Sequence, residues 1–480
     1  MAETLNDGLI VVAKRDCPTC TLIQPVYGQL AEYGDRLVVY SQDDPGFPES
    51  LDAVVDDTEL GHSYRLDIET VPTLIRMAGG REVGRAVGWH RGEWQALAGL
   101  EDLGPGLPEE QPGCGSRTVE PGMAEILQVR FGDVALASRR IEVGAYDDPV
   151  ESAYERGWSD GLPVVPPTEA RVLRMLAGTK RAADEVIGRI PPDLAECTVE
   201  KVAVNAVMAG CKPEYLPVVL AAVEAALMPE FCMHGLLCTT YFSGPLVIVN
   251  GPGARAIGMN SAENALGQGN RANATIGRAL QLVIRNVGGG VPGGIDRATL
   301  GTPGKYTFCF AEDESDPCWE PLANERGIEV GKSAVTLFAA DGVLGCFDQL
   351  SRTPESLVGS LAASMQVIGH PKKMQAHDAL LVVSPEHLRI FREAGWSKAD
   401  LKAALAKALT RPGAEVAQGV DGIAEGVPVS LSAEMLTKFR PGGLNIVRAG
   451  GEAGLMSAII GGWAATGERG SELVTKEIGE

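Results

Sequence analysis

Basic residues are scarce in this sequence. Its 42 lysines and arginines are outnumbered by 63 aspartates and glutamates, which gives a formal net charge of −21. Nucleic acids and anionic membrane surfaces are bound chiefly through lysine and arginine side chains that neutralise phosphates. The composition therefore argues against a nucleic-acid or membrane partner. Aromatic residues are also few, at 5%, whereas glycine occurs 59 times, and this combination favours closely packed α/β structure with many tight turns.

Long hydrophobic runs and a secretory leader are also missing from the sequence. The apolar run at residues 218–228 is interrupted by Glu224 and is too short to span a bilayer. The first residues carry neither a basic n-region nor an apolar h-region. The ten cysteines are scattered and mostly unpaired, which is typical of a reducing compartment. We therefore expect a cytoplasmic protein.

The length and the distribution of proline and glycine suggest how the chain is divided. A chain of 480 residues is long enough for two or three domains. Prolines and glycines accumulate between residues 101 and 123, a composition typical of linkers. We therefore predict a first domain at residues 1–100, a linker at 101–123 and a large α/β domain with a mixed sheet at 124–480. In the large domain, the apolar segments 126–131 and 141–143 indicate strands.

The clearest chemical signal is the Cys-x-x-Cys motif formed by Cys17 and Cys20. It follows the apolar run 9–13, which predicts a buried strand, and it precedes apolar residues at helical spacing. Cys17 is therefore expected at a helix N-terminus, where backbone N–H groups and the helix dipole favour a thiolate. Cys20, one turn later, can attack a mixed disulfide formed at Cys17. The pair predicts a redox-active disulfide that needs no other cofactor.

Together with three later features, this motif resembles thioredoxin over roughly residues 1–100. The features are the Cys17/Cys20 motif, Pro25 five residues after it, the Val-Pro-Thr run around Pro72, and the hairpin-like pattern of residues 74–88. The resemblance implies a thioredoxin-like fold with a kinked active-site helix. It also implies that Pro72 lies in a cis-proline loop against the cysteine pair, where backbone groups are offered to a bound chain. An electron donor of the thioredoxin-reductase type would then be a partner.

The sequence departs from the thioredoxin pattern in two places. Residues 14–16, Lys-Arg-Asp, replace the usual aromatic residue before the active site. Val11 stands where many thioredoxins carry a buried carboxylate. We expect Lys14 and Arg15 to help stabilise the Cys17 thiolate. Residues 43–58 have the composition of an inserted surface loop or short helix.

A structural disulfide and a metal site are the alternatives for the cysteine motif. Zinc usually takes four ligands from two such pairs at short spacing. The sequence contains no second Cys-x-x-Cys, and the nearest histidine, His62, has no partner nearby in the sequence. A non-enzymatic protein is a further interpretation, besides the two enzymatic hypotheses given below. It would bind a soft metal or a thiol through Cys17, Cys20 and either His62 or Cys114.

Cys114 lies between two glycines in the predicted linker. In a mobile segment such a cysteine is accessible and can shuttle between sites; the alternative is an incidental linker cysteine. The surrounding residues faintly resemble the Cys/Sec-Gly-Ser-Cys motif of a selenoprotein family, but the fourth position here is Arg117.

Residues 153–168 resemble a second family, and the resemblance extends to the end of the chain. This is an uncharacterised bacterial family whose members neighbour, or are fused to, thioredoxin-like or selenoprotein-like sequences. The resemblance implies a similar partnership for the large domain. It brings no established reaction.

Two cysteines of the large domain are candidate reactive thiols. Cys211 stands beside Lys212, which can lower the pKa of a thiol. Cys238 shortly precedes the apolar strand predicted at 245–249. The alternative for Cys211 is a buried, inert cysteine.

Polar residues of the large domain suggest an anion site. Asn250 ends the predicted strand, where ligands gather in α/β sheets. The glycine-rich turn before residue 270 predicts a helix N-terminus, which favours an anion. The candidate substrate ligands there are Asn270, Arg271, Asn273 and Arg278, and Glu312 at the end of another strand is a candidate acid or base. A structural glycine turn with helix caps, and an acidic surface turn, are the alternatives.

These features predict a thiol-dependent oxidoreductase. In the leading hypothesis, the thioredoxin-like domain reduces a cysteine of the large domain that acts on a small, anionic substrate, with Cys114 as an intermediate carrier. A second hypothesis joins a general protein-disulfide reductase to a separate ligand-binding domain. The sequence leaves the oligomeric state open, a homo-oligomer included.

Overall fold

The computed structural model describes residues 7–32, 36–132, 134–144, 146–463 and 470–479. The protein is α/β with mixed parallel and antiparallel sheets, which confirms the predicted fold class. The chain divides into two compact units, Met1–Ala135 and Leu136–Glu480.

The first unit contains an open sheet and short flanking strands and helices. Within the described residues its strands are β1 (Gly8–Ala13), β2 (Leu37–Ser41), β3 (Val55–Asp56), β4 (Thr70–Val71), β5 (Thr73–Ala78), β6 (Arg81–Val87), β7 (Trp89–His90), β8 (Glu110–Gln111) and β9 (Cys114–Gly115), and its helices are α1 (Pro18–Leu22), α2 (Gln24–Glu32), α3 (Gly61–Arg65), α4 (Arg91–Ala98) and α5 (Met123–Phe131). The main sheet has the order β3-β2-β1-β5-β6.

Strand β1 is the centre of this sheet. It pairs in parallel with β2 and antiparallel with β5, which continues into β6 as a hairpin. The residues of β1 after Gly8 are buried on both faces, as expected for a central strand that reads as a continuous apolar run. Helix α4 packs on β5 and β6 through the fully buried Trp94. Burial of each large apolar side chain contributes about 1.5–3 kcal/mol to stability.

Residues 101–123, predicted to be a linker, lie inside the first unit. β8 pairs with β7, and β9 pairs with β4. Leu103 is buried in the core of this unit. The prolines and glycines of the segment form turns that let it pack closely, and composition alone does not distinguish such turns from a mobile linker.

The second unit is larger and contains a seven-stranded sheet among its described residues. Its strands are β10 (Val186–Ile190), β11 (Ala195–Thr198), β12 (Gly244–Asn250), β13 (Cys309–Ala311), β14 (Ala334–Phe347), β15 (His377–Val383), β16 (Thr410–Pro412), β17 (Met435–Thr437), β18 (Leu444–Arg448), β19 (Met456–Trp463) and β20 (Val474–Glu477). Its helices are α6 (Pro149–Glu155), α7 (Glu169–Leu176), α8 (Val199–Ala209), α9 (Leu216–Ala226), α10 (Met233–Cys238), α11 (Pro252–Ala256), α12 (Arg271–Asn286), α13 (Leu322–Glu325), α14 (Pro354–Met365), α15 (Pro385–Glu393), α16 (Lys398–Ala408) and α17 (Gly413–Val416).

The large sheet consists of two similar halves. Its order is β13-β12-β14-β19-β15-β18, with β20 added to β14. In each half a parallel pair, β12 with β13 or β15 with β18, lies beside an antiparallel strand, β14 or β19. The long strand β14 pairs with β12 in its first part and with β19 in its second part, so it joins the halves.

The two halves share one apolar core. Leu380 and Val382 of β15 pack in the same cluster as Leu246 and Ile248 of β12. The alternate residues of β15 face the other way, and they pack with α14, α15 and α16. Helices α9 and α12 cover strands of the first half. This alternation is the period-two pattern of strands that are covered on both faces.

The segment that opens the predicted large domain differs from the sequence-based expectation. Residues 126–131 belong to helix α5 of the first unit, and 141–143 form no strand. In α5 only Leu127 is fully buried. A short apolar run can form either a strand or a helix. Here it forms a helix, α5, which packs against α3.

No single helix within the described residues is long and apolar enough to cross a membrane. Two consecutive helical segments, Pro213–Ala226 and Pro229–Cys238, are long and apolar enough only when taken together, and the chain bends by 71° between them.

Candidate functional site

Cys17 and Cys20 occupy the first turn of a helix that follows the central strand of the first unit. Cys17 is the N-cap residue of α1, and the backbone amide of Cys20 donates a hydrogen bond to its sulfur at 3.4 Å. The loop before the motif is held by Asp43, whose two carboxylate oxygens accept from the backbone amides of Arg15 and Asp16. The sulfur of Cys17 is thereby aimed at the edge where β4 lies.

The two thiols differ in acidity. A hydrogen bond from the Cys20 thiol, with smaller ones from the Cys114 thiol and from backbone amides, lowers the pKa of Cys17 to about 5 although burial opposes this shift. Burial, and then the interaction with Cys17, raises the pKa of Cys20 far above its ordinary value. At neutral pH Cys17 is therefore a thiolate and Cys20 a thiol. A nucleophile and a resolving partner require this asymmetry.

Pro72 lies beside this pair. The peptide bond between Val71 and Pro72 is cis. In its thiol form, Cys17 donates to the carbonyl oxygen of Val71 at 3.5 Å. The contact that the structure gives at this position is therefore between Cys17 and the Val71 carbonyl, which belongs to the peptide bond before Pro72.

Cys114 is the third thiol at this site. It lies in β9, directly opposite Val71 in the antiparallel pair with β4, and it is partly exposed. Its partner residue Val71 has its carbonyl oxygen 3.5 Å from the Cys17 sulfur, and the Cys114 thiol helps to lower the pKa of Cys17. Burial and then this interaction raise the pKa of Cys114, whereas the positive charge of Lys14 acts in the opposite direction. The predicted linker cysteine is thus held against the nucleophile within the same unit.

Gln42 anchors the chain that follows Cys114. Its buried amide nitrogen donates to the hydroxyl oxygens of Ser63, at 2.8 Å, and Ser116, at 2.7 Å. Its amide oxygen accepts from the backbone of Arg117 at 3.1 Å. Ser63 in turn donates to the buried carboxylate of Asp57. The network ties the segment after β9 to β2 and α3.

The two basic residues before the motif do not act as predicted. Arg15 forms ion pairs with Asp44 at 2.5 Å and Glu49 at 2.7 Å. Lys14 donates to the carbonyl oxygen of Gly115 at 2.9 Å. Neither is among the main causes of the lowered pKa of Cys17, because neighbouring thiols and backbone amides supply the donors instead.

Three residues at the site were not found by the sequence reasoning. Thr19 donates to the carbonyl oxygen of Pro112 at 2.6 Å, Gln42 anchors Ser116, and Tyr27 is fully buried beside the pair. Burial, followed by the effects of Cys20 and Cys17, raises the pKa of Tyr27 well above its ordinary value. The partner of Thr19 is 93 residues away in the sequence. No local motif signals such a contact.

The ligands suggested for a soft metal do not form a recognisable set. His62 stacks on Tyr40, with ring centroids 4.3 Å apart. Within the described residues, no group of three or more histidine, cysteine, aspartate or glutamate side chains is arranged to hold a metal ion.

The candidate thiols of the second unit lie in different environments. Burial raises the pKa of Cys211 to about 12, and its thiol donates to the carbonyl oxygen of Thr275 at 3.3 Å. Cys238, at the end of α10, is exposed. All ten cysteines, which fall within the described residues, are free thiols.

The residues predicted to bind an anion are engaged by the protein itself. Asn270 is the N-cap of α12 and accepts from the amide of Asn273 at 3.0 Å. Asn273 is buried and holds the backbone of Asn260 through both its amide atoms. Arg271 donates to the carbonyl oxygen of Gly210 at 2.9 Å. The helix cap is confirmed, and these side chains stabilise the turn before α12.

Arg278 also has a protein partner. It forms a two-point contact with Asp160, at 2.9 and 2.8 Å, and donates to the carbonyl oxygen of Leu162 at 3.0 Å. The two side chains are only 13% and 11% exposed. This geometry is that of a bidentate arginine–carboxylate pair.

Asn250 and Glu312 meet in a buried polar cluster. Asn250 donates to Glu312 at 2.7 Å and to Glu314 at 2.9 Å. Lys398 lies 3.6 Å from Glu312 and 3.3 Å from Glu325. Burial raises the pKa of Glu312, and the charge of Lys398 is the largest effect against it. The carboxylate expected at the end of β13 is thus an internal member of this cluster.

A cavity of about 490 Å³ lies beyond the ends of β13 and β18, next to the chain segment that carries Glu312 and Glu314. Arg448, Arg389 and Arg392 line it, together with Asp313, Asp316 and Glu386. Arg448 is buried and donates to Asp313 at 2.6 Å, while Arg392 donates to Asp316 at 2.7 Å. The Nε atom of Arg448 is buried without a hydrogen-bond partner among the described residues. Arg389 pairs with Glu386 at 3.5 Å, and Glu452 also lines the cavity. The three arginines therefore stand beside four carboxylates, and each arginine is paired with one of them.

Comparison with known proteins identifies no family for the chain: it matches no protein-family model, and a search of curated protein sequences finds no match. The function is therefore inferred from the geometry of the site.

Proposed function

We propose that this protein is a thiol–disulfide oxidoreductase in which Cys17 is the nucleophile and Cys20 the resolving thiol. The observation that carries the proposal is the asymmetry of the pair: Cys17 has its pKa lowered to about 5, whereas the pKa of the buried Cys20 is raised. The cis bond before Pro72 and the hairpin of β5 and β6 support the thioredoxin-like interpretation of this unit. The break between α1 and α2 just before Pro25 supports it as well.

The reaction follows from the two acidities. The Cys17 thiolate attacks one sulfur of a client disulfide, forms a mixed disulfide and expels the other client sulfur as a thiolate. Cys20 then loses its proton and attacks the Cys17 sulfur, which releases the second client thiolate and leaves a Cys17–Cys20 disulfide. One of the two protons that end on the client thiols comes from Cys20, and solvent supplies the other, because Cys17 is already a thiolate. A dithiol donor of the thioredoxin-reductase type returns the pair to the reduced state.

The second unit is proposed to bind a small anionic molecule. The cavity lined by Arg448, Arg389 and Arg392 is the candidate site, because arginine forks suit carboxylate and phosphate groups. An anion bound there would replace the lining carboxylates with which the arginines are paired. In the leading hypothesis a cysteine of this unit turns over and is reduced by the Cys17–Cys20 pair. Cys238 is the stronger candidate for that thiol, because Cys211 is buried and its pKa is raised to about 12.

One observation favours the second hypothesis, a reductase joined to a separate ligand-binding unit. The residues described around the arginine cavity include no cysteine. Ligand binding there needs no thiol chemistry.

Substitution of single cysteines tests the oxidoreductase proposal. We expect Cys17→Ser to abolish reduction of a model disulfide such as that of insulin by the full chain. Cys20→Ser should instead accumulate a mixed disulfide at Cys17, visible by mass spectrometry. Cys197→Ser is the matched control, because Cys197 is buried in the second unit. Full activity of Cys17→Ser would contradict the proposal. In Cys20→Ser, a mixed disulfide that joins Cys17 to Cys238 would favour the relay over two separate functions.

A further inference from the structure

The Cys17 sulfur is covered by the protein's own chain. Cys17 is only 1% exposed, whereas Cys114 beside it is partly exposed. The cover is the segment of residues 112–116, which includes β9. A client disulfide therefore meets the Cys114 thiol before it meets Cys17 in this conformation.

The covering segment is fitted to its place by contacts on both sides of Cys114. Before it, Thr19 donates to the Pro112 carbonyl oxygen at 2.6 Å, and after it, Lys14 donates to that of Gly115 at 2.9 Å. Lys14 precedes the Cys17–Cys20 motif, and Thr19 lies within it. Ser116, the next residue, is held by Gln42.

Gly113 shows how closely the segment approaches the loop of Pro72. A Cβ atom at this position would lie 2.5 Å from the Thr70 methyl group and 2.7 Å from the Val71 carbonyl oxygen. No side chain fits there without moving the backbone apart. A Cβ at Gly115 would meet only Val119, at 3.7 Å. Of the two glycines around Cys114, Gly113 therefore leaves no room for a side chain, whereas Gly115 does.

On the basis of the proposed function, we propose that Cys114 is a third redox cysteine, the thiol through which the Cys17–Cys20 pair exchanges electrons with disulfide substrates. It is placed for this role by the register of β9 on β4, which sets it opposite Val71 beside the Cys17 sulfur, and by its greater exposure. The acceptor is a disulfide of a small molecule or of an accessible peptide.

Each step is a thiol–disulfide exchange. The Cys114 thiolate attacks the substrate disulfide, binds one substrate sulfur and expels the other as a thiolate. The Cys17 thiolate attacks the Cys114 sulfur, forms a Cys17–Cys114 disulfide and expels the second substrate thiolate. Cys20, once deprotonated, attacks the Cys17 sulfur and expels the Cys114 thiolate. Two electrons have passed from the pair to the substrate. Its two thiols carry one proton from Cys20 and one from solvent, Cys114 returns to its starting state, and the external dithiol donor resets the pair.

The surroundings of Cys114 act on its thiol in opposite directions. Lys14 favours the thiolate form, but burial and the Cys17 sulfur outweigh it and raise the pKa of Cys114. The thiolate of Cys17 is already present at neutral pH for the second step. The nucleophilicity of a thiolate falls as the pKa of its thiol falls. The Cys114 thiolate is therefore more reactive toward a substrate than the Cys17 thiolate, although a smaller fraction of Cys114 is in the thiolate form.

Cys114→Ser in the full chain is the first test. We expect turnover of a disulfide substrate to fall by about 100-fold, which is the size of effect that a misplaced reacting group has on a rate. A small oxidant should still form the Cys17–Cys20 disulfide in this variant. In Cys20→Ser, mild oxidation should trap a Cys17–Cys114 disulfide, identified by peptide mass spectrometry after blocking of free thiols. Unchanged or increased turnover in Cys114→Ser would overturn the proposal, because the segment would then be a bystander or a lid.

Gly113→Val provides a second test that keeps the thiol. It forces the segment away from Val71, so we expect turnover to fall with Cys114 no longer against Cys17. A lid predicts the opposite, a rise. Gly115→Ala is the matched control and should leave turnover unchanged. If no Cys17–Cys20 disulfide forms in the proteins that retain both cysteines, the proposed oxidoreductase function itself fails. If that disulfide forms but turnover does not need Cys114, only the present proposal fails.

Discussion

The backbone of Cys114 pairs with that of Val71, whose carbonyl oxygen lies 3.5 Å from the sulfur of Cys17. One antiparallel pair of residues therefore brings a third thiol to the nucleophile. Because the register of β9 on β4 fixes which residue faces Val71, a shift by one residue would turn the Cys114 side chain to the other face.

The acidity of Cys17 should depend on the neighbouring thiols. Cys114→Ala removes a hydrogen-bond donor to the thiolate, so we expect the pKa of Cys17 to rise from about 5, and Cys20→Ala should raise it further because its hydrogen bond is the larger effect. The measurement is the ultraviolet absorbance of the thiolate as a function of pH in the reduced protein. Cys197→Ala is the control. An unchanged titration in both variants would contradict the assigned donors.

The redox potential should reflect the same stabilised thiolate. At pH 7, above the folded-state pKa of about 5 for Cys17, the reduced form is stabilised relative to a thiol of ordinary pKa. We therefore expect a potential above that of thioredoxin, which is about −270 mV. Equilibration with glutathione buffers measures it. The stabilisation is complete above the unfolded-state pKa of about 8.5 and is lost as the pH falls through about 5, so a difference from thioredoxin that persists at pH 4 would exclude this cause.

Gln42 should control the order of the segment that carries Cys114. Gln42→Ala leaves the buried hydroxyl of Ser116 and the amide of Arg117 without this partner. We expect the free energy of unfolding to fall by about 1–3 kcal/mol, the cost of unsatisfied buried groups. Amide hydrogen exchange at residues 114–118 should become faster. The control is Gln95→Ala, a partly exposed glutamine bonded to the carbonyl of Glu101, and equal exchange in the two variants would contradict the role of Gln42.

Lys398 should be required for the stability of the second unit. Its ammonium group lies 3.6 Å from the buried Glu312. Because Lys398→Met leaves that carboxylate uncompensated, we expect a loss of about 3–5 kcal/mol, partly restored by Glu312→Gln in the double variant. Without the lysine, the pKa of Glu312 rises further, so the deficit should grow as the pH increases. Lys402→Met, in an exposed pair with Glu325, should cost at most about 1 kcal/mol, and a similar cost for both would argue against the prediction.

Arg278 should stabilise the fold. Its guanidinium group binds Asp160 at two points. Arg278→Met should lower the free energy of unfolding by about 3 kcal/mol, since it breaks a largely buried pair. Chemical denaturation measures this loss. Arg255→Met is the control, because that side chain is 68% exposed and its pair with Glu314 should contribute about 0–1 kcal/mol. Wild-type stability of the Arg278 variant would instead return this residue to the list of ligand candidates.

Local patterns in the sequence predicted the elements around the cysteines, because strand β1 and the start of α1 depend on residues adjacent in the chain. They also predicted the start of α12 at Asn270. They failed where a short apolar run has no intrinsic preference: residues 126–131 are helical, and residues 141–143 form no strand.

The partners of polar side chains were not predictable in the same way. Arg278 was assigned to a ligand, yet its partner Asp160 lies 118 residues earlier. Cys114 was recognised as a candidate thiol, but its position opposite Val71 depends on turns that were interpreted as a linker. Such contacts are decided by the tertiary structure, which spacing along the chain does not contain.

The long strand β14 has a consequence for synthesis. Its partners are β12, which precedes it, and β19 and β20, which follow it, the last at Val474–Glu477. A ribosome must therefore translate almost the whole chain before this strand can complete its hydrogen bonds, whereas the described elements of the first unit are all translated once Phe131 has been added. During the interval β14 has unpaired edges, the condition under which nascent chains aggregate. The first unit can thus be folded, with Cys17 and Cys20 in place, while the second unit is still being made.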